Sequence, residues 1–226
     1  MKRKIVITGG EGDFPKQIIK VNSKFKIFTP SKKKLDILKF KSIISFLKQK
    51  KPNYLIHSAA LTNPMSQHKY KIIDSINTNI VGTSNVAMAC EVNKVKMIYI
   101  STNFVYPGKH GNYSEKDNLN PVNNYGWSKL GGECAVKLIK NHLILRICMT
   151  KDVYPHKIAY SDYETSFLTK SEAAKIVLKL INKRGVINVG GKKQSAYKFA
   201  KMKNQNVNEG KLSKKNILLI GKNTSI

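Results

Sequence analysis

The chain has 226 residues and a mass of 25.5 kDa, with 41% hydrophobic side chains, enough for one α/β domain with a small appendage and too apolar for wholesale disorder. Its 41 Lys and Arg against 13 Asp and Glu give a net charge of +28. The lysines run along the whole sequence, with short clusters at 32–34, 48–51 and 211–215 and no arginine-rich or aromatic–basic stripe, so they read as a solvated surface without a specific nucleic-acid partner. Cys90, Cys134 and Cys148 are too scattered for a disulfide framework, and His68, His110, His142 and His156 lack ligand spacing, so no metal is expected. No apolar run reaches the ~18 residues of a membrane span. The apolar stretch after Met1-Lys2-Arg3-Lys4 is too short for a secretion signal, which leaves a cytoplasmic protein as the expectation.

In chain order, strands are expected at 3–8, 24–29, 53–57, 95–101, 142–148 and 186–189. Helices are expected near 13–22, 40–51, 70–93, 124–141 and 170–183. Alternation of this kind means right-handed crossovers and a parallel sheet covered on both faces. Nearly continuous apolar runs in the first four strands fit burial on both sides. The stretch 201–226 is polar, lysine-rich and weakly patterned apart from 217–220, and reads as a loosely attached end.

After the first strand comes Thr8-Gly9-Gly10-Glu11-Gly12-Asp13-Phe14-Pro15, a glycine turn opening a helix, as in a dinucleotide fingerprint. Gly9 suits the tight turn, and Gly12 suits close approach of a pyrophosphate to the helix N-terminus. Pro15 replaces the third glycine, and Glu11 and Asp13 bring negative charge to the turn. Further on, Tyr125 and Lys129 stand four residues apart on one helix face. A phenol with a nearby cation suits proton transfer to a carbonyl, since a neighbouring positive charge favours the phenolate. Upstream, Ser101 and Thr102 end a buried strand, where ligands of parallel sheets bind.

Together these segments resemble the extended short-chain dehydrogenases/reductases, and within them the dTDP-4-dehydrorhamnose reductase-like group. The resemblance rests on TGGEG (8–12), HSAALTNP (57–64), NIVGTSN (79–85), ISTNFVYPG (100–108) and EKDNLNPVNNYGWSKLGGE (115–133). It covers residues 5–148 well and weakens over 165–190. It implies a Rossmann-type doubly wound parallel sheet at 1–150 and a reduced substrate-binding part with a lysine-rich tail at 151–226. It implies NAD(P)H-dependent reduction of a nucleotide-linked 4-keto-6-deoxysugar. A sugar-nucleotide epimerase, or a noncatalytic dinucleotide-binding regulatory subunit, are the alternatives. A homodimer is compatible with each.

Carried over by position, Tyr125 is the expected proton donor to the keto oxygen, Thr102 polarises the same oxygen, and Lys129 holds the nicotinamide ribose and depresses the tyrosine pKa. Gly9, Gly12, Asp13, Phe14, Ala59, Ala60, Thr62 and Asn79 are expected around the cofactor, with Ser31, Lys32 and Asp36 at its adenosine end. Thr102, Asn103, Trp127 and Arg146 are the expected substrate contacts. The second strand ends without the acid that would read a ribose 2′-hydroxyl and is followed by Lys32, Lys33 and Lys34, so NADP(H) is moderately preferred and NAD(H) is admitted. Thr102 is followed by Asn103 and Phe104, so no acid–base pair for dehydration is in view. Cys148 reads as a buried small hydrophobe, and His57 as a cofactor-loop or packing residue.

Overall fold

A computed structural model describes residues 2–62 and 67–226; Asn63 and Pro64 of the 57–64 segment lie outside the described residues. The chain runs through β1 (Lys4–Thr8), α1 (Asp13–Val21), β2 (Lys26–Phe28), α2 (Phe40–Lys50), β3 (Tyr54–His57), and the short helices α3 (Gln67–Tyr70) and α4 (Ile72–Ser75). A π-helical turn, Ile76–Val81, leads into α5 (Gly82–Val92), then β4 (Lys96–Thr102), α6 (Asn124–Lys137) and β5 (His142–Ile147). The remainder holds β6 (Met149–Thr150), β7 (Ile158–Tyr160), β8 (Glu164–Thr165), β9 (Leu168–Thr169), α7 (Lys170–Leu180), β10 (Gly185–Val189), β11 (Gln194–Ser195), α8 (Ala196–Lys203), β12 (Asn208–Gly210) and α9 (Lys214–Ile220).

Six strands form one parallel sheet in the order β10-β5-β4-β3-β1-β2. Alternate side chains of each strand face opposite layers. Ile5, Ile7, Ile56, Ile98, Ile100, Leu143 and Leu145 pack toward α1 and α7, against Ile18, Ala173, Ala174 and Val177. Val6, Leu55, Met97, Tyr99 and Ile144 pack on the other face, against Ile43 and Leu47 of α2 and Val86, Ala87 and Cys90 of α5. Strand order reverses at β1, with β2 on one side and β3 on the other, so a crevice opens past their C-terminal ends.

Part of the chain after residue 150 joins the main sheet, and part forms a small apolar cluster of its own around Tyr154, Phe199 and Val207. Helix α7 begins on a capping box, Thr169 with Glu172, and β10 pairs with β5 as the sixth strand. The expectation of a loose end at 201–226 is overturned. Asn223, Thr224 and Ser225 are buried: Thr224 meets the Tyr163 hydroxyl, and Ser225 Oγ accepts from the Asn112 amide. Val207 and Ile226 also pack into small apolar clusters, but 223–225 dock through polar side chains and backbone, which hydrophobic periodicity does not register.

Candidate active site

The glycine turn is closed by the Gly12 N–H donating to the Gly9 carbonyl at 2.9 Å. Gly9 has φ +69°, and a β-carbon there would meet the Ala59 backbone at 2.9 Å, so only glycine lets β1 and β3 end side by side. Gly12 caps α1, and Pro15 sits buried in the first turn, where its missing N–H is no loss. Lys170 at the start of α7 reaches Asp13 at 3.2 Å, and this bond and charge hold the Asp13 carboxyl below its usual range. Asp13 therefore does not stand as an uncompensated negative charge beside the turn.

A cavity of about 360 Å³ opens past the strand ends, lined by Gly9, Gly12, Asp13, Phe14, Ala59, Ala60 and Thr62 on one side. Ser101, Thr102, Asn103, Phe104, Tyr125 and Lys129 line the other, and Met149, Phe167 and Lys170 complete the lining. A second cavity of about 290 Å³ continues over Gly9, Gly12, Ala59 and Ala60 to Lys32, Leu35, Asp36 and Ile37. The small residues shared by the two leave an open floor that fits a dinucleotide laid across the turn. Ser31 belongs to a neighbouring groove with Thr29 and Lys34.

Helix α6 is capped by the Asn123 side chain accepting from the Gly126 N–H at 2.7 Å. Gly126 packs directly on the Phe104 carbonyl, with no room for a side chain, which brings the start of α6 against the end of β4. Tyr125 is thereby set beside Thr102. Burial pushes its phenol up to about 12, while a hydrogen bond from Thr102 acts in the opposite direction. Lys129 is 2% exposed, with Nζ 4.2 Å from the Tyr99 ring centroid. Burial pulls its ammonium down to about 7, and the charge of Glu133 works against that pull. Lys129 is not among the groups that shift Tyr125, so the expected lowering of the phenol by Lys129 is absent; burial dominates instead.

Glu133 is a functional candidate that the sequence reading passed over. It lies one helical turn beyond Lys129, fully buried, and accepts from Ser101 Oγ at 2.5 Å and from Arg146 Nη2 at 2.8 Å. The Tyr-x-x-x-Lys-x-x-x-Glu spacing in so acid-poor a chain was the available signal. Lys170 had none, since it meets Asp13 across 157 residues.

Three expected contacts stand elsewhere. Arg146 is 1% exposed and its guanidinium is consumed by Glu133 and the Tyr106 hydroxyl, outside the cavity lining. Trp127 is 51% exposed and lines neither cavity. Asn79, from the π-helical turn, is fully buried away from both. Its amide is spent on the Leu61 backbone, donating at 2.9 Å and accepting at 2.8 Å, and on Ser128 Oγ at 2.8 Å. Asn103 does line the cavity, but its amide nitrogen donates to the Thr224 carbonyl and Cys148 Sγ. Burial pushes the Cys148 thiol up to about 11, so it stays protonated. His57 is a packing residue between Thr8 and Thr83, pushed down to about 3 by burial and by Lys129.

Residues 3–190 match the RmlD substrate binding domain family. The chain belongs to that family. It is 26% identical over 191 residues to a dTDP-4-dehydrorhamnose reductase of Aggregatibacter actinomycetemcomitans, covering 82% of this chain and 60% of that one. The chain thus spans less than two thirds of that relative's length. The β subunit of methionine adenosyltransferase 2 from Bos taurus is 28% identical over 157 residues, which cover 64% of this chain and 46% of the other. Among solved structures, dTDP-4-dehydrorhamnose reductase of Bacillus anthracis in complex with NADP superposes with a TM-score of 0.87 at 26% identity, covering all of this chain and 90% of that one. No helix among the described residues is long and apolar enough to cross a membrane.

Proposed function

We propose that this chain is an NAD(P)H-dependent reductase of a nucleotide-linked 4-keto-6-deoxysugar, acting in the supply of activated sugars. One observation carries the reading: Thr102, Tyr125 and Lys129 converge on a single cavity that continues over the glycine turn. Similarity to enzymes named dTDP-4-dehydrorhamnose reductase, one of them in complex with NADP, supports it. When bound, the reduced nicotinamide supplies the hydride. The chain's own task is to hold the keto oxygen and give it a proton. Thr102 donates a hydrogen bond to that oxygen, and Tyr125, protonated at neutral pH, releases its proton as negative charge builds there. Lys129, its charge favoured by Glu133, anchors the ribose. The test is NADPH oxidation over a panel of nucleotide 4-keto-6-deoxysugars; no turnover with any of them overturns the reading.

Similarity to the methionine adenosyltransferase subunits favours one second reading, a dinucleotide-binding subunit of another enzyme. Under it, NADPH binds and is never oxidised by the panel.

Cofactor preference goes moderately to NADPH. Lys32 lines the cavity expected to hold the adenosine end, and Ser31 and Lys34 flank it. Charge-assisted hydrogen bonds to a 2′-phosphate are worth roughly 1.5–3 kcal/mol each when shielded from water. Dissociation constants for NADPH and NADH should differ at low salt, and the difference should shrink at high salt and in a Lys32/Lys33/Lys34→Ala variant. Equal constants at low salt would remove the lysines from cofactor choice. The exposed apolar side chains Ile76, Val81 and Met88 on the helices beside α6 support a homodimer, which sedimentation would test. Three free thiols support a reducing, cytoplasmic compartment.

A further inference from the structure

At the opposite end of the sheet, where the strands begin, the residues form a second polar concavity of about 390 Å³. Arg3 precedes β1, Lys96 opens β4 and Arg184 precedes β10; all three line it, with no carboxylate beside them. The cavities around the glycine turn, by contrast, each include Asp13, Asp36 or Glu11. Arginine is also scarce: the sequence has three, at 3, 146 and 184, and two of them meet at this cavity.

The concavity is built rather than merely charged. Lys96 is only 7% exposed, and its ammonium donates to the Lys183 carbonyl at 2.6 Å. Among the described ion pairs, none involves Arg3, Lys96 or Arg184. Burial and the nearby Arg184 charge both pull the Lys96 ammonium below its usual range. A largely buried cation without a counter-charge is costly. Tyr54, 5% exposed, accepts from Arg3 at 2.8 Å and donates to Asn182 at 2.7 Å, which fixes one arginine fork across the floor. Strand lengths put this cavity about 15–20 Å from the catalytic one.

We infer that this cavity is an anion site for a compact phosphate-type oxyanion of two or more charges, such as a diphosphate. Arginine forks match phosphate oxygens two at a time, and Lys96 supplies a point charge from below. The ligand would neutralise three cations that no protein group neutralises.

The probes are sodium pyrophosphate and inorganic phosphate, titrated calorimetrically at constant ionic strength into the full chain saturated with NADPH, so that the glycine turn is occupied. One-to-one binding is expected, tighter for pyrophosphate, and weakened about tenfold or more by Arg184→Ala and by Lys96→Met. Lys170→Ala, which removes a cation from the catalytic cavity, should leave it unchanged. Arg184 is exposed, so its variant carries the test if Lys96→Met does not fold. Undiminished binding in Arg184→Ala, loss in Lys170→Ala instead, or no binding at millimolar probe would overturn the inference. So would a single-stranded oligonucleotide that outcompetes pyrophosphate and is lost in the same variants, since the surface would then read nucleic-acid backbone.

Discussion

Two side chains of opposite ionic preference share the catalytic cavity, and burial pushes both toward neutrality. Tyr125 holds its proton up to about 12 and Lys129 loses its own near 7. Replacing Tyr125 by Phe removes only the donated proton. Turnover should fall by about 10²–10⁴-fold while the NADPH dissociation constant stays within a small factor, and unchanged turnover would exclude Tyr125 as the donor. The Glu133 charge opposes the burial that pulls the Lys129 ammonium down to about 7. With the lysine's pKa already lowered in the folded protein, the charged form is present below about 7 and lost above it. Glu133→Gln removes the opposing charge, so the alkaline limb of kcat/KM should move to lower pH while the acid limb stays in place. A uniform loss at every pH would point to a structural role alone, through Arg146, which the substitution leaves as a buried cation without its carboxylate. The Tyr125–Lys129 pairing was legible in the sequence because both lie on one helix at a four-residue spacing. The burial that sets their pKa values was not, since it comes from β4 and from the segment between β4 and α6.

Among the elements, α6 and the π-helical turn before α5 together position the candidate site. An extra residue in that turn re-aims Asn79 inward, to the loop that follows β3 and to Ser128 on α6. Asn79 thus ties the cofactor-side loop to the catalytic helix without touching either cavity. Asn79→Ala leaves the Leu61 N–H and carbonyl without their partners, at a cost of about 1–3 kcal/mol. Thermal stability should drop accordingly, and the NADPH dissociation constant should rise several-fold; stability lost without any change in affinity would limit Asn79 to packing. The expected long helix at 70–93 covers α4, the π turn and α5, but apolar spacing alone does not distinguish a π turn from an α turn. The six sheet strands were legible as short apolar runs and the helices between them by their apolar spacing. The short pairs β6–β9, β7–β12 and β8–β11 have two or three residues each, too few for any period to register.

Across the whole molecule, one face of the sheet is assembled from the two ends of the sequence. Helix α1 and helix α7 lie together on that face, and Asp13 is bridged to Lys170. The proposed catalytic residues, Thr102, Tyr125 and Lys129, by contrast, all precede residue 130. A chain emerging from the ribosome therefore carries all three while Ile98, Ile100, Leu143 and Leu145 still lack Ala173, Ala174 and Val177 to pack against. Until α7 docks, the nascent sheet presents a greasy face and an unpaired β5 edge, the conditions that favour aggregation and chaperone capture. A fragment ending at residue 150 should bind a hydrophobic dye and precipitate on concentration, and one ending at residue 190, with α7 and β10 in place, should do so markedly less. A soluble, dye-silent 1–150 fragment would mean that the first part folds without its cover. Contacts between residues so far apart in sequence also slow the search for the native state, so the step that brings α7 onto the sheet should set the folding rate.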